Sequence, residues 1–455
     1  MRSRCARWNG QETESRDLGH AYRTSLEMTV GPRENPRGAL AVLTTLFFMW
    51  GFLTCLNDVL IPHLKAAFAL SFTEAALVQF SFFTAYAMVS VPAGALVAKI
   101  GYARGIVLGL VTAGVGCLGF YPAASTRSYG LFLVALFVLA AGITVLQVSA
   151  NPYVAILGPA RTAPARLTLT QAFNSLGTFL APWFGSLVIL SNVAKPPEAL
   201  RQLPAAEATE YMAKEASSVQ VPYIGLAVVL FVLAFVIHLV KLPTPNLVSR
   251  LTAEDDVDGE PLVLVERRSA WAYPHLVLGA VAIFLYVGAE VSIGSFLVVF
   301  FKEPDIGALP EQIGGRYLMF YWGGSLVGRF VGAVALRRFS GGRAMATNAI
   351  VAVVLCLATT LLHGRGAMAC ILAVGLANSI LFPTIFALAV RGLGRHTEQA
   401  SGVICMAIVG GALVPLLHGA IADHWGLHAA FVLPAVCYAY IAFYGLKGSR
   451  MVGVG

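Results

Sequence analysis

Two acids sit in the middle of otherwise apolar runs. Asp58 lies within Phe52-Leu53-Thr54-Cys55-Leu56-Asn57-Asp58-Val59, and Glu290 occupies the same slot of Phe284-Leu285-Tyr286-Val287-Gly288-Ala289-Glu290-Val291, at an offset of 232 residues. A carboxyl withdrawn from water has its pKa raised and can take up and release a proton near neutral pH. Asp58 is therefore a proton-carrier candidate, its other reading being a helix cap or a structural pair. Glu290 has the same two readings, and Arg329, one run later, is a partner that would hold it ionised.

Around these acids the apolar runs carry amides and aromatics. Gln147 and Asn151 are four residues apart and Gln171 and Asn174 three apart, so each pair shares a helical face. Asn57, Gln79 and Tyr86 accompany them in the first half of the chain, and Tyr286, Tyr317, Trp322 and Asn378 in the second. Side chains that both donate and accept, with flat rings beside them, suit a neutral polyhydroxylated ligand. On this reading the substrate contacts are Asn57, Gln147, Asn151, Gln171, Asn174, Tyr286, Trp322 and Asn378. The competing reading is polar glue between helices for the amides and ordinary packing for the rings. No phosphate-cradling glycine loop, metal-spaced His and Cys cluster or serine elbow is present, so neither an enzyme, direct ATP drive, a cofactor nor a bound metal is expected.

The elements that position these residues follow from composition. The 455 residues are 58% hydrophobic and only 12% charged, against roughly 25% charged in a soluble domain. About 20 apolar residues cross a bilayer core of roughly 30 Å, and a helix satisfies its own backbone there. Apolar runs lie at 39–61, 74–98, 105–124, 130–157, 167–190, 221–241, 274–301, 311–336, 344–363, 366–392, 398–421 and 427–446, which predicts an all-α integral membrane protein with twelve spans. Pro92, Pro152, Pro182, Pro383 and Pro415 fall inside runs, as packed spans tolerate. Six of the seven cysteines (Cys55, Cys117, Cys356, Cys370, Cys405, Cys437) fall there too and read as small packing residues.

The net charge of +8 is dispersed among the connections and not clustered on one face, which excludes a nucleic-acid partner. Most of the 31 Lys and Arg belong to the N-terminal segment, the even-numbered loops and the C-terminus, so the positive-inside rule places both termini in the cytoplasm. Lys99 and Arg104 after the second run, and Arg337 and Arg338 after the eighth, are candidates for orientation and gating. The first 38 residues carry seven arginines and no apolar core of signal-peptide length. They read as a disordered cytoplasmic tail, within which Met28 is an alternative start.

The second six runs repeat the first six. Gly94 and Lys99 match Gly332 and Arg337, Pro152 matches Pro383, and Gly177 and Pro182 match Gly410 and Pro415. The expected organisation is a tail over 1–38, a six-helix half over 39–241, a cytoplasmic linker over 242–273, a second half over 274–447 and a short tail over 448–455. Two such halves around a midplane site are built for alternating access, which needs no covalent chemistry. One chain holds both halves, so a monomer in the lipid bilayer suffices.

The chain resembles the fucose-galactose-glucose:proton symporters of the major facilitator superfamily, from about residue 40 to 446. The likeness rests on Leu56-Asn57-Asp58-Val59-Leu60-Ile61-Pro62, Ser149-Ala150-Asn151-Pro152-Tyr153, Leu157-Gly158-Pro159, Gln171-Ala172-Phe173-Asn174-Ser175-Leu176-Gly177, Tyr286-Val287-Gly288-Ala289-Glu290-Val291-Ser292 and Phe382-Pro383-Thr384-Ile385-Phe386-Ala387-Leu388. The superfamily's loop signature is weaker, with Ala98 in place of its aspartate. The resemblance implies the major facilitator fold, a protonatable Asp58, and Gln171 and Asn174 touching sugar. It further implies proton-driven uptake of a hexose across a bacterial inner membrane. L-fucose permease carries a glutamate where this chain has Gln147, so the chain looks like the glucose/galactose branch, with L-fucose the poorer substrate and sodium an alternative coupling ion. Efflux of an apolar or cationic compound, a membrane sugar sensor and a membrane enzyme are the other classes, and the amides, the short termini and the lack of catalytic groups argue against them in turn.

Overall fold

A computed structural model describes residues 36–67, 72–126, 128–188, 220–240 and 267–451, together with Pro204 and Glu207. The first half contains α1 (Pro36–Ala67), α2 (Phe72–Ile100), α3 (Tyr102–Ser125), α4 (Tyr129–Ile156), α5 (Ala163–Val188) and α6 (Gln220–Leu239). The second contains α7 (Pro274–Lys302), α8 (Glu311–Ala335), α9 (Gly341–Leu361), α10 (Gly364–Asn378), α11 (Leu381–Ala389), α12 (Thr397–Met406), α13 (Gly410–Trp425), α14 (Leu427–Ala430) and α15 (Val432–Leu446). Eleven stretches of the described residues are long and apolar enough to cross a membrane. Three of them join neighbouring helices: α10 with α11, α12 with α13, and α14 with α15. α5 is not among the eleven although its 26 residues are long enough. Its Arg166, Gln171, Asn174 and Ser175 dilute the apolar run, as suits a span lining a polar interior. With α5 the crossings number twelve.

The tail expected over 1–38 lies outside the described residues except for its last three, which begin α1. Of the linker expected over 242–273, residues 242–266 also lie outside them, and Ala270–Ala272 form a 3-10 turn leading into α7. Met28 is likewise undescribed. Outward-facing side chains such as Val134, Phe235, Val331 and Leu416 are exposed, as expected where lipid rather than water meets the surface.

Packing within the first half depends on small residues. A side chain at Gly51 would run into the Asn174 carbonyl, and one at Gly177 into the Phe48 carbonyl, so α1 and α5 touch backbone to backbone. The corner between α4 and α5 is held by Arg166. Its guanidinium donates to the carbonyls of Val154 (3.1 Å), Ala155 (2.6 Å), Gly158 (3.1 Å) and Pro159 (3.0 Å) and to Thr162 Oγ1. The last carbonyls of a helix have no partner within it, so this one side chain caps α4 and fixes its angle to α5.

The halves meet at the end of the bundle that carries Lys99, Arg104, Arg337 and Arg338. A Cβ on Gly94 of α2 would stand 2.8 Å from the Glu398 carbonyl of α12, and one on Gly402 of α12 would stand 2.6 Å from the Ser90 carbonyl of α2. The halves also meet where α5 packs on α8, with Phe173 edge-on to Phe330 at 5.8 Å.

Candidate functional site

Among the described residues, each half supplies a buried polar cluster near the middle of the bundle. In the first half, α2 presents Tyr86 and α4 presents Gln147 and Asn151, and all three are buried. Gln147 Nε2 donates to Tyr86 Oη. Gln147 Oε1 and both amide atoms of Asn151 have no hydrogen-bond partner among the described residues. An amide atom buried without a partner costs about 1–3 kcal/mol, a penalty that hydroxyls of a bound ligand would remove.

In the second half a proline opens the site. Pro383 has no N–H for the carbonyl four residues earlier, that of Ser379, and the helix breaks at Ser379–Ile380 between α10 and α11. The exposed carbonyls are taken by side chains. Arg329 Nε donates to the Ser379 carbonyl at 3.3 Å, and Tyr286 Oη stands 3.3 Å from the Asn378 carbonyl while donating its proton to Glu290 Oε1 at 2.8 Å. Asn378 Nδ2 donates to Tyr321 Oη at 2.9 Å, and Tyr321 Oη donates to the Glu290 carbonyl at 3.3 Å. Tyr286, Glu290, Tyr321 and Asn378 thus form one connected network, in which Asn378 Oδ1 remains unpartnered.

Arg329 joins the two halves. Besides Ser379, its Nη1 donates to the Gln171 carbonyl at 3.2 Å and to Ser175 Oγ, both on α5. The guanidinium's hydrogen bonds go to these oxygens and the Glu290 carboxyl is hydrogen-bonded by Tyr286, while the Arg329 charge acts on Glu290 without a direct hydrogen bond between them.

The remaining expected residues divide by location. Asn57 and Asp58 lie on α1 and Gln79 on α2, but their side chains are outside the described residues. Gln171 is buried on α5. Asn174, half-buried, donates its Nδ2 to the Phe47 carbonyl at 3.0 Å across the α1–α5 contact. Trp322 is half-buried, edge-on to Tyr321 at 5.1 Å and packed against Gly294. Tyr317 stands edge-on to Phe301 at 5.8 Å, apart from the network. Lys99, Arg104, Arg337 and Arg338 are exposed. Sequence reasoning overlooked Tyr321 and the bonding roles of Ser175 and Ser379. For Ser379 a signal existed, since Pro383 four residues on predicts a freed carbonyl.

Residues 40–408 match the Major Facilitator Superfamily. The glucose/galactose transporter of Brucella abortus is 53% identical over 93% of this chain and 97% of its own. The L-fucose-proton symporter of Escherichia coli is 34% identical over 88% of this chain and 91% of its own. A crystal structure of the transporter FucP in the outward conformation superposes with a TM-score of 0.79 at 31% identity, over 91% of this chain and 99% of that one.

Proposed function

Because this chain belongs to the major facilitator superfamily, we propose that it takes up a hexose together with a proton, D-glucose and D-galactose ahead of L-fucose, by alternating access. The observation that carries this reading is the pair Gln147 and Asn151, buried amides with unpartnered atoms, in a chain whose relatives are named for sugar and proton transport.

The sugar sits between the two clusters. Gln147, Asn151 and Gln171 bind its hydroxyls from the first half, and Asn378 and the network of Tyr286 and Glu290 receive it from the second. Trp322 offers a ring face and Asn57 a further amide. Asp58 carries the proton. Because both ligands must favour the same conformations, protonation and sugar binding are thermodynamically linked. Glu290 anchors the second-half network and comes after Asp58 as a proton site. Lys99, Arg104, Arg337 and Arg338 flank the seam where the halves close and orient the protein with both termini in the cytoplasm. The chain works as a monomer in a bacterial inner membrane. Sodium in place of the proton is the second reading, since Gln147 stands where a second N-half carboxyl would complete a proton relay.

The test is equilibrium binding of D-glucose, D-galactose and L-fucose to purified protein. Saturable binding of the first two, lost on Gln147→Ala with the fold intact, is expected; folded protein binding no hexose contradicts the proposal.

A further inference from the structure

At the end of the second half opposite Arg337, three connections distant in sequence converge. The turn after α7 is tightly built. The Glu303 carbonyl accepts from the N–H groups of Ile306 (3.1 Å), Gly307 (3.2 Å) and Ala308 (3.0 Å). The Gly364 N–H donates to the Asp305 carbonyl at 2.9 Å, which ties this turn to the α9–α10 connection. Onto this frame, His363 comes from the α9–α10 connection and His428 from α14. Asp305 Oδ2 lies 3.1 Å from His428 Nε2 and 3.7 Å from His363 Nε2, and Glu303 Oε2 lies 3.7 Å from His428 Nε2. The two imidazole rings are 5.2 Å apart, and that of His428 is braced edge-on against Phe300 at 5.1 Å.

A single His–carboxylate pair would account for the 3.1 Å contact. It does not account for a second imidazole turned to the same carboxylate oxygen, nor for donor atoms of Asp305, His363 and His428 all within 4.8 Å of one another. The geometry points to a binding site for a divalent transition metal, Zn²⁺ by preference, with His363, His428 and Asp305 as ligands. Metal–ligand bonds of about 2.0–2.2 Å in a tetrahedron place neighbouring donors roughly 3.4 Å apart. The observed 3.1 and 3.7 Å separations bracket that value, and the side chains of His363 and Asp305, 66% and 49% exposed, are free to adjust. Two imidazoles beside one carboxylate suit zinc or nickel and not magnesium or calcium, which take oxygen ligands. All the ligands belong to the second half, so the metal would staple the three connections of that half without locking it to the other.

The test is Zn²⁺ titration of the purified full-length chain against a chromophoric chelator, paired with thermal unfolding. The intact chain is expected to take up one Zn²⁺ that is bound at least tenfold more weakly in His363→Gln, His428→Gln and Asp305→Asn, but equally well in His424→Gln. Zn²⁺ should raise the unfolding midpoint of the intact chain and of His424→Gln only, and Mg²⁺ should raise neither. Absence of a bound Zn²⁺, or a Zn²⁺ whose affinity the three ligand substitutions leave unchanged, would overturn the assignment and leave the cluster as ion pairing alone.

Discussion

Arg329 on α8 and Ser175 on α5 are hydrogen-bonded across the boundary between the two halves, and the same guanidinium holds the Gln171 and Ser379 carbonyls. Arg329 therefore ties the closed seam to the broken turn beside Asn378. Whatever rearranges the Tyr286–Glu290–Asn378 network acts on a side chain that also holds the halves together.

Hydrogen bonds to a charged group contribute about 1.5–3 kcal/mol each, and Arg329 makes two to α5, so Arg329→Met should shift the ratio of closed to open seam by at least about 10-fold. Spin labels at Arg104 and Arg338, both exposed at that end, report this directly. The distance distribution should gain a longer component in the variant, and an unchanged distribution would show that the bridge does not hold the seam.

Gly94 and Gly402 make the other half of the seam possible. In Gly402→Val the new Cβ would stand 2.6 Å from the Ser90 carbonyl, an overpacking that destabilises the closed seam by about 1–3 kcal/mol. Folded protein with lowered hexose uptake and a lengthened Arg104–Arg338 label distance is expected. Uptake at the original rate would mean that the seam has more slack than its backbone contacts allow.

Asn151 and Asn174 should separate binding from packing. The Asn151 amide is buried with neither atom partnered, so Asn151→Leu should leave thermal stability level or higher while weakening hexose binding by about 1–3 kcal/mol, roughly 5- to 150-fold. The Asn174 amide is committed to the Phe47 carbonyl, so Asn174→Ala should lower stability by about 0.5–1.5 kcal/mol with little change in affinity. Calorimetric binding and unfolding midpoints on the two variants decide it, and the reverse pattern would exchange their roles.

The sequence is informative here where a feature is local and opaque where it is not. Span positions were legible because lipid demands a continuous apolar run, and α7, expected over 274–301, is found over Pro274–Lys302. Asn151 and Gln147 were legible as anomalies in such a run. The Arg329 charge acts on Glu290 as the spacing suggested, but its hydrogen bonds to the Ser379 and Gln171 carbonyls come from a broken turn and a neighbouring span that spacing does not reveal. Tyr321 was hidden because an aromatic in an apolar run looks like packing until Asn378, 57 residues away, is seen to bond it. The cluster of Asp305, His363 and His428 could not be read from spacing at all, since it assembles only when three connections fold together.

On the proposed symport reading, energy coupling turns on Asp58. Asp58→Asn should abolish accumulation of hexose against its gradient yet spare exchange of labelled for unlabelled sugar, because exchange needs the rocking of the halves but no net proton movement. Loss of both activities in folded protein would make Asp58 structural.

Uptake of labelled D-glucose and D-galactose into vesicles holding the protein, with proton and sodium gradients imposed separately, decides whether it is a hexose–proton symporter. Accumulation above the external concentration under an inward proton gradient, and none under sodium alone, is expected. Accumulation driven only by sodium would contradict proton coupling, and no accumulation of either sugar under either gradient would contradict hexose symport itself.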